Sequence, residues 1–256
     1  MHELETFYDD RFAEVSEYLT FVENIDDALK SGQLKDSNSP LALTVRQINV
    51  IYSGVYLQLY NLVEATMTQC FDTLSREICA ANVKPRDLNV ALFEEWLRTT
   101  AKIDEPLNSR NRLRVLHKLL DSSESIIGDF KFLIRSGGNW DSQEIENAIK
   151  RFDISLTVAP DINTRIKRHR VNNLGALEII KEKRNGLGHG SLSFVECGKE
   201  ITLIELLSLA DAVHKYLACV VHSFVSFFET LKIGDRFSDE PSHENLSLET
   251  SGAYDD

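Results

Sequence analysis

Residues 41–81 read LALTVRQINVIYSGVYLQLYNLVEATMTQCFDTLSREICAA, with no proline and one glycine, Gly54. Ile48, Ile51, Val55, Leu59, Leu62, Thr66, Cys70, Leu74 and Ile78 recur every three or four residues. That period is the signature of one face of an α-helix. It predicts a single long central helix, and hence an all-α fold built around it. Tyr52, Tyr56, Tyr60 and Glu64 form a second row at i+4 along its flank. Such a row is the margin of the core, or else a dimer surface or an aromatic wall beside a site. In the latter case Glu64 is a candidate auxiliary group.

The same period extends to both sides. Leu4, Phe7, Phe12, Val15, Leu19, Val22, Ile25 and Leu29 predict a helix over 3–30, closed by Ser31-Gly32 and the polar loop before Pro40. Downstream of Pro85, Asp87 is the expected cap of a helix through Ala101, with Leu88, Leu92 and Trp96 inward. Residues 109–121 make a further helix, apolar at Leu113, Leu116, Leu119 and Leu120 and basic at Arg110, Arg112, Arg114 and Lys118. Phe130 to Ile134 reads as a short strand or a buried helix turn. Asp141 with Glu144 forms a capping pattern for a helix facing inward through Ile145, Ile149 and Phe152. A helix is expected at about 172–185, and a small irregular hairpin around Cys197-Gly198-Lys199. Thr202 with Glu205 then opens a final helix to about Leu231.

Composition narrows the class. The chain has 256 residues, 43% of them apolar, which suffices for a packed core. The formal charge of −12 sits at the ends. Residues 1–27 hold nine acids against one arginine, residues 235–256 seven acids against one arginine, and the span between carries +2. A generally basic nucleic-acid binder is excluded; RNA as a partner is not. Four cysteines without metal-type pairing read as buried free thiols in a reducing cytoplasm. A signal peptide is not expected, because the first residues are acidic and lead into no apolar run. The most apolar stretch, 203–231, contains Glu205, Asp211, His214, Lys215 and His222, so a core helix and not a membrane span is expected. No cofactor motif is present.

The candidate chemistry lies in Lys181-Glu-Lys-Arg-Asn-Gly-Leu-Gly-His-Gly190, where glycines end a helix beside Arg184, Asn185 and His189. A guanidinium can hold a phosphate, an imidazole can move a proton, and an amide can orient either. Arg184 follows Leu177 and Ile180 on the inner face, where a charge needs a partner or a purpose. Spacing alone does not single this segment out, because Arg112 and His117 have the same separation. His117 lies within an uninterrupted amphipathic helix; His189 lies among glycines, where backbone can approach a ligand closely. Upstream, Arg165, Lys167, Arg168 and Arg170 form the most basic run, and with Lys181 and Lys183 they are candidate RNA-backbone contacts.

Arg184-Asn185 followed by His189-Gly190 resembles the signature of the HEPN superfamily, an arginine and a polar residue with a histidine a few positions on. The segment 138–141, Gly-Asn-Trp-Asp, with Ile145, Ile149 and Phe152-Asp153-Ile154, is similar to the MAE-like prokaryotic branch. The resemblance covers roughly 40–231. It implies an antiparallel all-α bundle that dimerises, and in many members a metal-independent endoribonuclease acting as a toxin or antiviral effector. It carries Arg184, Asn185 and His189 over as catalytic residues, with an antitoxin or defence-system protein as a further partner. Other members are binding modules. A nucleotide-binding domain serving a nucleotidyltransferase is a further alternative. The expected organisation is an acidic helix and loop (1–39), the helical domain (40–233) and an acidic, disordered tail (234–256).

Overall fold

The computed structural model describes residues 2–32, 43–102, 106–128, 130–132, 139–168 and 173–232. Among these the chain forms nine α-helices and one 3-10 turn, with no strand. The predicted central helix is α2, Val45–Ala80, whose 36 residues span about 54 Å at 1.5 Å each. Thr44 and Gln47 close its first turn reciprocally: the Gln47 N–H donates to Thr44 Oγ1 (3.2 Å), and the Thr44 N–H donates to Gln47 Oε1 (2.8 Å). Val55, Leu59, Leu62, Cys70, Leu74 and Ile78 are all buried, as the stripe requires.

Helix α1, Glu3–Lys30, lies along α2 despite its acidic composition. Leu4, Tyr8, Val15, Leu19 and Val22 share one core with α2 and with the last helix, α9, Leu203–Lys232, and Ile25 is buried as well. Most of its acids face solvent, while Asp26 is largely buried and accepts from the Tyr52 hydroxyl (2.9 Å). Close approach of α1 is made possible at Gly54, where a Cβ would stand 2.4 Å from the Tyr18 hydroxyl. That hydroxyl donates to the Ile51 carbonyl (2.9 Å). Tyr52, Tyr56 and Tyr60 are buried, so the tyrosine row belongs to the core and not to an open surface.

After the 3-10 turn Pro85–Asp87 comes α3, Val90–Thr100. Its cap is Asn89 and not Asp87: Asn89 Oδ1 accepts the Leu92 N–H at 2.8 Å. Asp87 instead accepts the Lys84 N–H and closes the short turn. Pro85 starts that turn early and uses Asp87 before the helix begins. Helix α4, Ser109–Ser123, buries no residue at all. Phe130 and Phe132 are neither strand nor helix, although Phe132 is buried and its N–H reaches Ser75 Oγ (3.2 Å). Helix α5, Ser142–Arg151, is capped by Asp141, and α6, Pro160–Lys167, follows.

Helix α7, Ala176–Gly188, starts later and ends later than its pattern predicts. The glycines at 186 and 188 do not stop it. The stop is Gly190, which takes a positive φ of 74° just past the cap residue His189. Gly186 serves packing instead, since a Cβ there would touch Leu192 Cβ at 3.0 Å.

The expected hairpin at 197–199 is a helix, α8, Phe194–Lys199. Ser193 and Glu196 form a capping box that starts it. Cys197 is fully buried, and Gly198 lies directly on the backbone of Asn49 in α2. Among the described residues no helix is long and apolar enough to cross a membrane. The tail from 234, expected to be disordered, lies outside the described residues.

Candidate functional site

The site is built where the C-terminal half of α7 crosses α2. Tyr60 and Glu64 are one turn apart on α2 and meet Arg184 of α7. The guanidinium carbon lies 4.6 Å from the Tyr60 ring centre, a cation–π distance. Arg184 Nη1 donates to Asn185 Oδ1 (2.9 Å), and Nη2 lies 3.5 Å from Glu64 Oε2. About a third of each charged side chain remains open to solvent, 35% for Arg184 and 37% for Glu64. The inner position inferred for Arg184 thus resolves into a half-buried cation on an aromatic floor.

Asn185 links this pair to a loop. Its amide Nδ2 donates to Asn139 Oδ1 at 3.2 Å. Asn139 is held by its two successors. The Trp140 N–H donates to the Tyr60 hydroxyl (3.1 Å), and the Trp140 ring stacks on Phe71. Asp141 caps α5 through Oδ1 (2.9 Å from the Glu144 N–H) and pairs with Lys181 through Oδ2. Tyr60 therefore has two tasks: its ring supports Arg184 and its oxygen anchors the Asn139 loop. Burial is the main reason its phenol is pushed above the ordinary range, opposed in part by the Trp140 N–H and by Arg184.

His189 caps α7, its N–H donating to the Asn185 carbonyl at 2.9 Å. It lies four positions after Asn185, so the two side chains share a helix face, while Arg184 leaves about 100° away from Asn185. Asn185 stands between the two. The imidazole is exposed and takes no hydrogen bond or ion pair among the described residues. Arg184 and Asn185 are thus in contact, with the Asn139 amide beside Asn185 and the exposed imidazole one helical turn on.

Four of the candidate RNA-contacting cations are engaged in ion pairs. Arg165 pairs with Asp211 (2.5 Å), Lys167 with Glu146 (2.6 Å), Lys181 with Asp141 and Lys183 with Glu200 (2.8 Å). Arg168 is exposed at the end of α6, and Arg170 lies outside the described residues. Tyr60 and Asn139 are site residues that the sequence reading did not assign. Tyr60 had a signal in its i+4 spacing to Glu64; Asn139 had its place before the Asp141 cap and in the Gly-Asn-Trp-Asp segment of the resemblance, neither of which gave it a role.

A family model described as "HEPN_MAE_28990:/-like HEPN" matches residues 1–231. The match includes α1, which the resemblance read from the sequence left out. Neither the curated proteins nor the solved structures give a significant match.

Proposed function

Since this chain belongs to the MAE_28990-like HEPN family, we propose that it is an endoribonuclease whose site is Arg184, Asn185 and His189. The observation that carries this reading is a half-buried guanidinium next to an amide, with an uncommitted imidazole one turn on. Arg184, steadied by Tyr60, binds the phosphate and stabilises the charge that develops on its oxygens. His189 takes the proton of the ribose 2′-hydroxyl. The 2′-oxygen bonds to phosphorus, the bond to the 5′-oxygen breaks, and a 2′,3′-cyclic phosphate and a 5′-hydroxyl result. No metal enters these steps. Glu64 is an auxiliary that holds the guanidinium until phosphate replaces it.

One imidazole moves one proton, and the leaving 5′-oxygen needs another. A twofold homodimer supplies it by setting two copies of the 184–189 segment across one cleft. In a cell such an activity makes the chain a toxin or an antiviral effector, held in check by an antitoxin or a defence-system partner. The test is cleavage of an RNA pool by wild type, His189→Ala and Arg184→Ala, each checked for fold. Loss of a positioned acid–base group lowers the rate by about 10²–10⁴-fold. Wild-type cleavage by folded His189→Ala contradicts the proposal.

A second reading, a non-catalytic helical binding module or antitoxin-like partner, is favoured by one feature. Asn185, Glu64 and Tyr60 together already satisfy Arg184 within the chain. On that reading Arg184→Ala lowers stability, and wild type leaves RNA intact and host growth unaffected.

A further inference from the structure

Helix α4 is attached along one narrow line. Val115, Leu119 and Ser122 are half-buried toward α3 and the Pro85–Asp87 turn. Leu113, Leu116 and Leu120 recur at i, i+3 and i+7, about 120° round the helix from that line. They are 60%, 50% and 68% exposed, and Ile126, just beyond, is 56% exposed. Arg110, Arg112, Arg114 and Lys118 are exposed around this leucine ridge, with Asp121 the one acid of the helix. Arg112 donates to the Leu107 carbonyl (3.0 Å); the other three cations make no ion pair among the described residues. An apolar ridge framed by cations that make no ion pair among the described residues fits an acidic partner with a few apolar side chains.

The chain carries such a partner. Residues 235–256 hold seven acids and one arginine, and Leu246 and Leu248 lie between Glu244 and Glu249. The described chain also ends on the same side as α4. Near the end of α9, the Phe228 ring contacts that of His2 (5.4 Å), and His2 Nε2 lies 3.6 Å from Glu77 in the last turn of α2. From there the chain passes to Val83, whose carbonyl accepts the Ile127 N–H (2.9 Å), and to Arg86, which pairs with Glu124 at the end of α4 (3.1 Å). The fourteen steps from Lys232 to Leu246 reach at most about 50 Å when extended, ample to return to a helix at the same end. Tethering also gives the segment an effective concentration in the millimolar range. A second copy of α4 would set arginine against arginine.

We propose that Glu244-Asn245-Leu246-Ser247-Leu248-Glu249 docks on α4, its leucines on the Leu113/Leu116/Leu120 ridge and its acids among the arginines and Lys118. The surface is separate from the Arg184 site, so the proposal stands whether or not RNA is cut.

The experiment is zero-length carbodiimide cross-linking of the full-length protein at low salt, read by peptide mass spectrometry. The expected product joins Lys118 to Glu244 or Glu249 within one chain, so a mixture of light and heavy isotope-labelled protein yields no hybrid. It is lost at about 1 M salt, where the screening length is about 3 Å. Leu116→Ser with Leu120→Ser, both exposed, lowers the yield about fivefold, the factor that about 1 kcal/mol sets. No such cross-link, hybrid cross-links from a second copy, or a yield indifferent to the leucine changes overturns the proposal. So does co-sedimentation with phosphatidylglycerol vesicles through the same leucines, which assigns the ridge to a lipid surface.

Discussion

Replacing Gly198 by alanine tests how α8 is seated on α2. A Cβ at Gly198 would lie 1.9 Å from the Asn49 carbonyl oxygen, 2.6 Å from its carbonyl carbon and 2.8 Å from its Cα. Every obstructing atom is backbone, in the first turns of the longest helix, and none can rotate away. The six-residue α8 must retreat by more than an ångström, and Cys197, fully buried beside Gly198, retreats with it. Forcing an extra methyl into such a contact costs about 1–3 kcal/mol, and a backbone-to-backbone clash belongs at the upper end. Alanine returns up to about 1 kcal/mol through the unfolded chain and helix propensity. A net loss of about 2–3 kcal/mol follows. In urea unfolding this is a lower midpoint at an unchanged slope. Gly188→Ala is the control: a Cβ there meets nothing within 4 Å, and its midpoint should hold or rise. A Gly198→Ala protein as stable as wild type refutes the seating of α8, and with it the helix in place of a hairpin.

Tyr60 separates two contributions to the site. Tyr60→Phe keeps the ring under Arg184 but leaves the buried Trp140 N–H without its acceptor, so stability in urea should fall by about 1–3 kcal/mol while KM for RNA holds. Tyr60→Leu also loses the cation–π contact, about 0.5–2 kcal/mol, and should raise KM; equal KM values for the two variants contradict this division. Glu64→Gln removes a carboxylate that competes with phosphate for a partly exposed guanidinium. Filter binding should show RNA held up to about fivefold tighter, within the 0–1 kcal/mol expected of such pairs, and weaker binding opposes the assignment. His214 is stacked on Phe12 (3.6 Å) and donates from Nδ1 to the Tyr8 hydroxyl (2.8 Å), which itself donates to the His214 carbonyl (2.9 Å). Burial holds its pKa below the ordinary value, with Lys215 acting the same way and Asp211 and Asp9 opposing. The folded state therefore favours neutral imidazole. Its stabilisation is present above the unfolded value of about 6.5 and is lost as pH falls through the lower folded value. Thermal unfolding of His214→Gln should depend less on pH in that window than wild type.

Most of the fold was legible because its long helices carry unbroken apolar stripes. The Ile48-to-Ile78 row and the run from Leu203 to Phe228 each need one continuous face; the first is buried from Val55 on, with Ile48 and Ile51 packed at its margin, and the second is buried. Local signals failed where a residue serves packing across elements. Gly186 and Gly188 look like terminators, yet the first makes room for Leu192 and only Gly190 needs the left-handed backbone. Gly198 reads as a turn residue because its neighbour, Asn49, is remote in sequence. Asp87 and Asn89 both have capping chemistry, and Pro85 decides between them by starting a turn two residues before Asp87. In the site, Arg184 touches Asn185, its chain neighbour, so that contact is implicit in the motif. Glu64 is 120 positions from Arg184 and Asn139 is 46 from Asn185. No spacing rule within one helix joins such residues; the packing of α2 and of the loop before α5 against α7 does.

The central proposal is that Arg184, Asn185 and His189 cut RNA by attack of the RNA's own ribose 2′-hydroxyl. It is tested most directly with one oligonucleotide in two forms, all-ribose and with 2′-deoxy nucleotides at the mapped cleavage positions. The account predicts that the all-ribose strand is cut to fragments ending in 2′,3′-cyclic phosphate, and that the deoxy strand survives unless His189-dependent cutting moves to another ribose. Cleavage at the deoxy positions, or products that never pass through a cyclic phosphate, contradicts it.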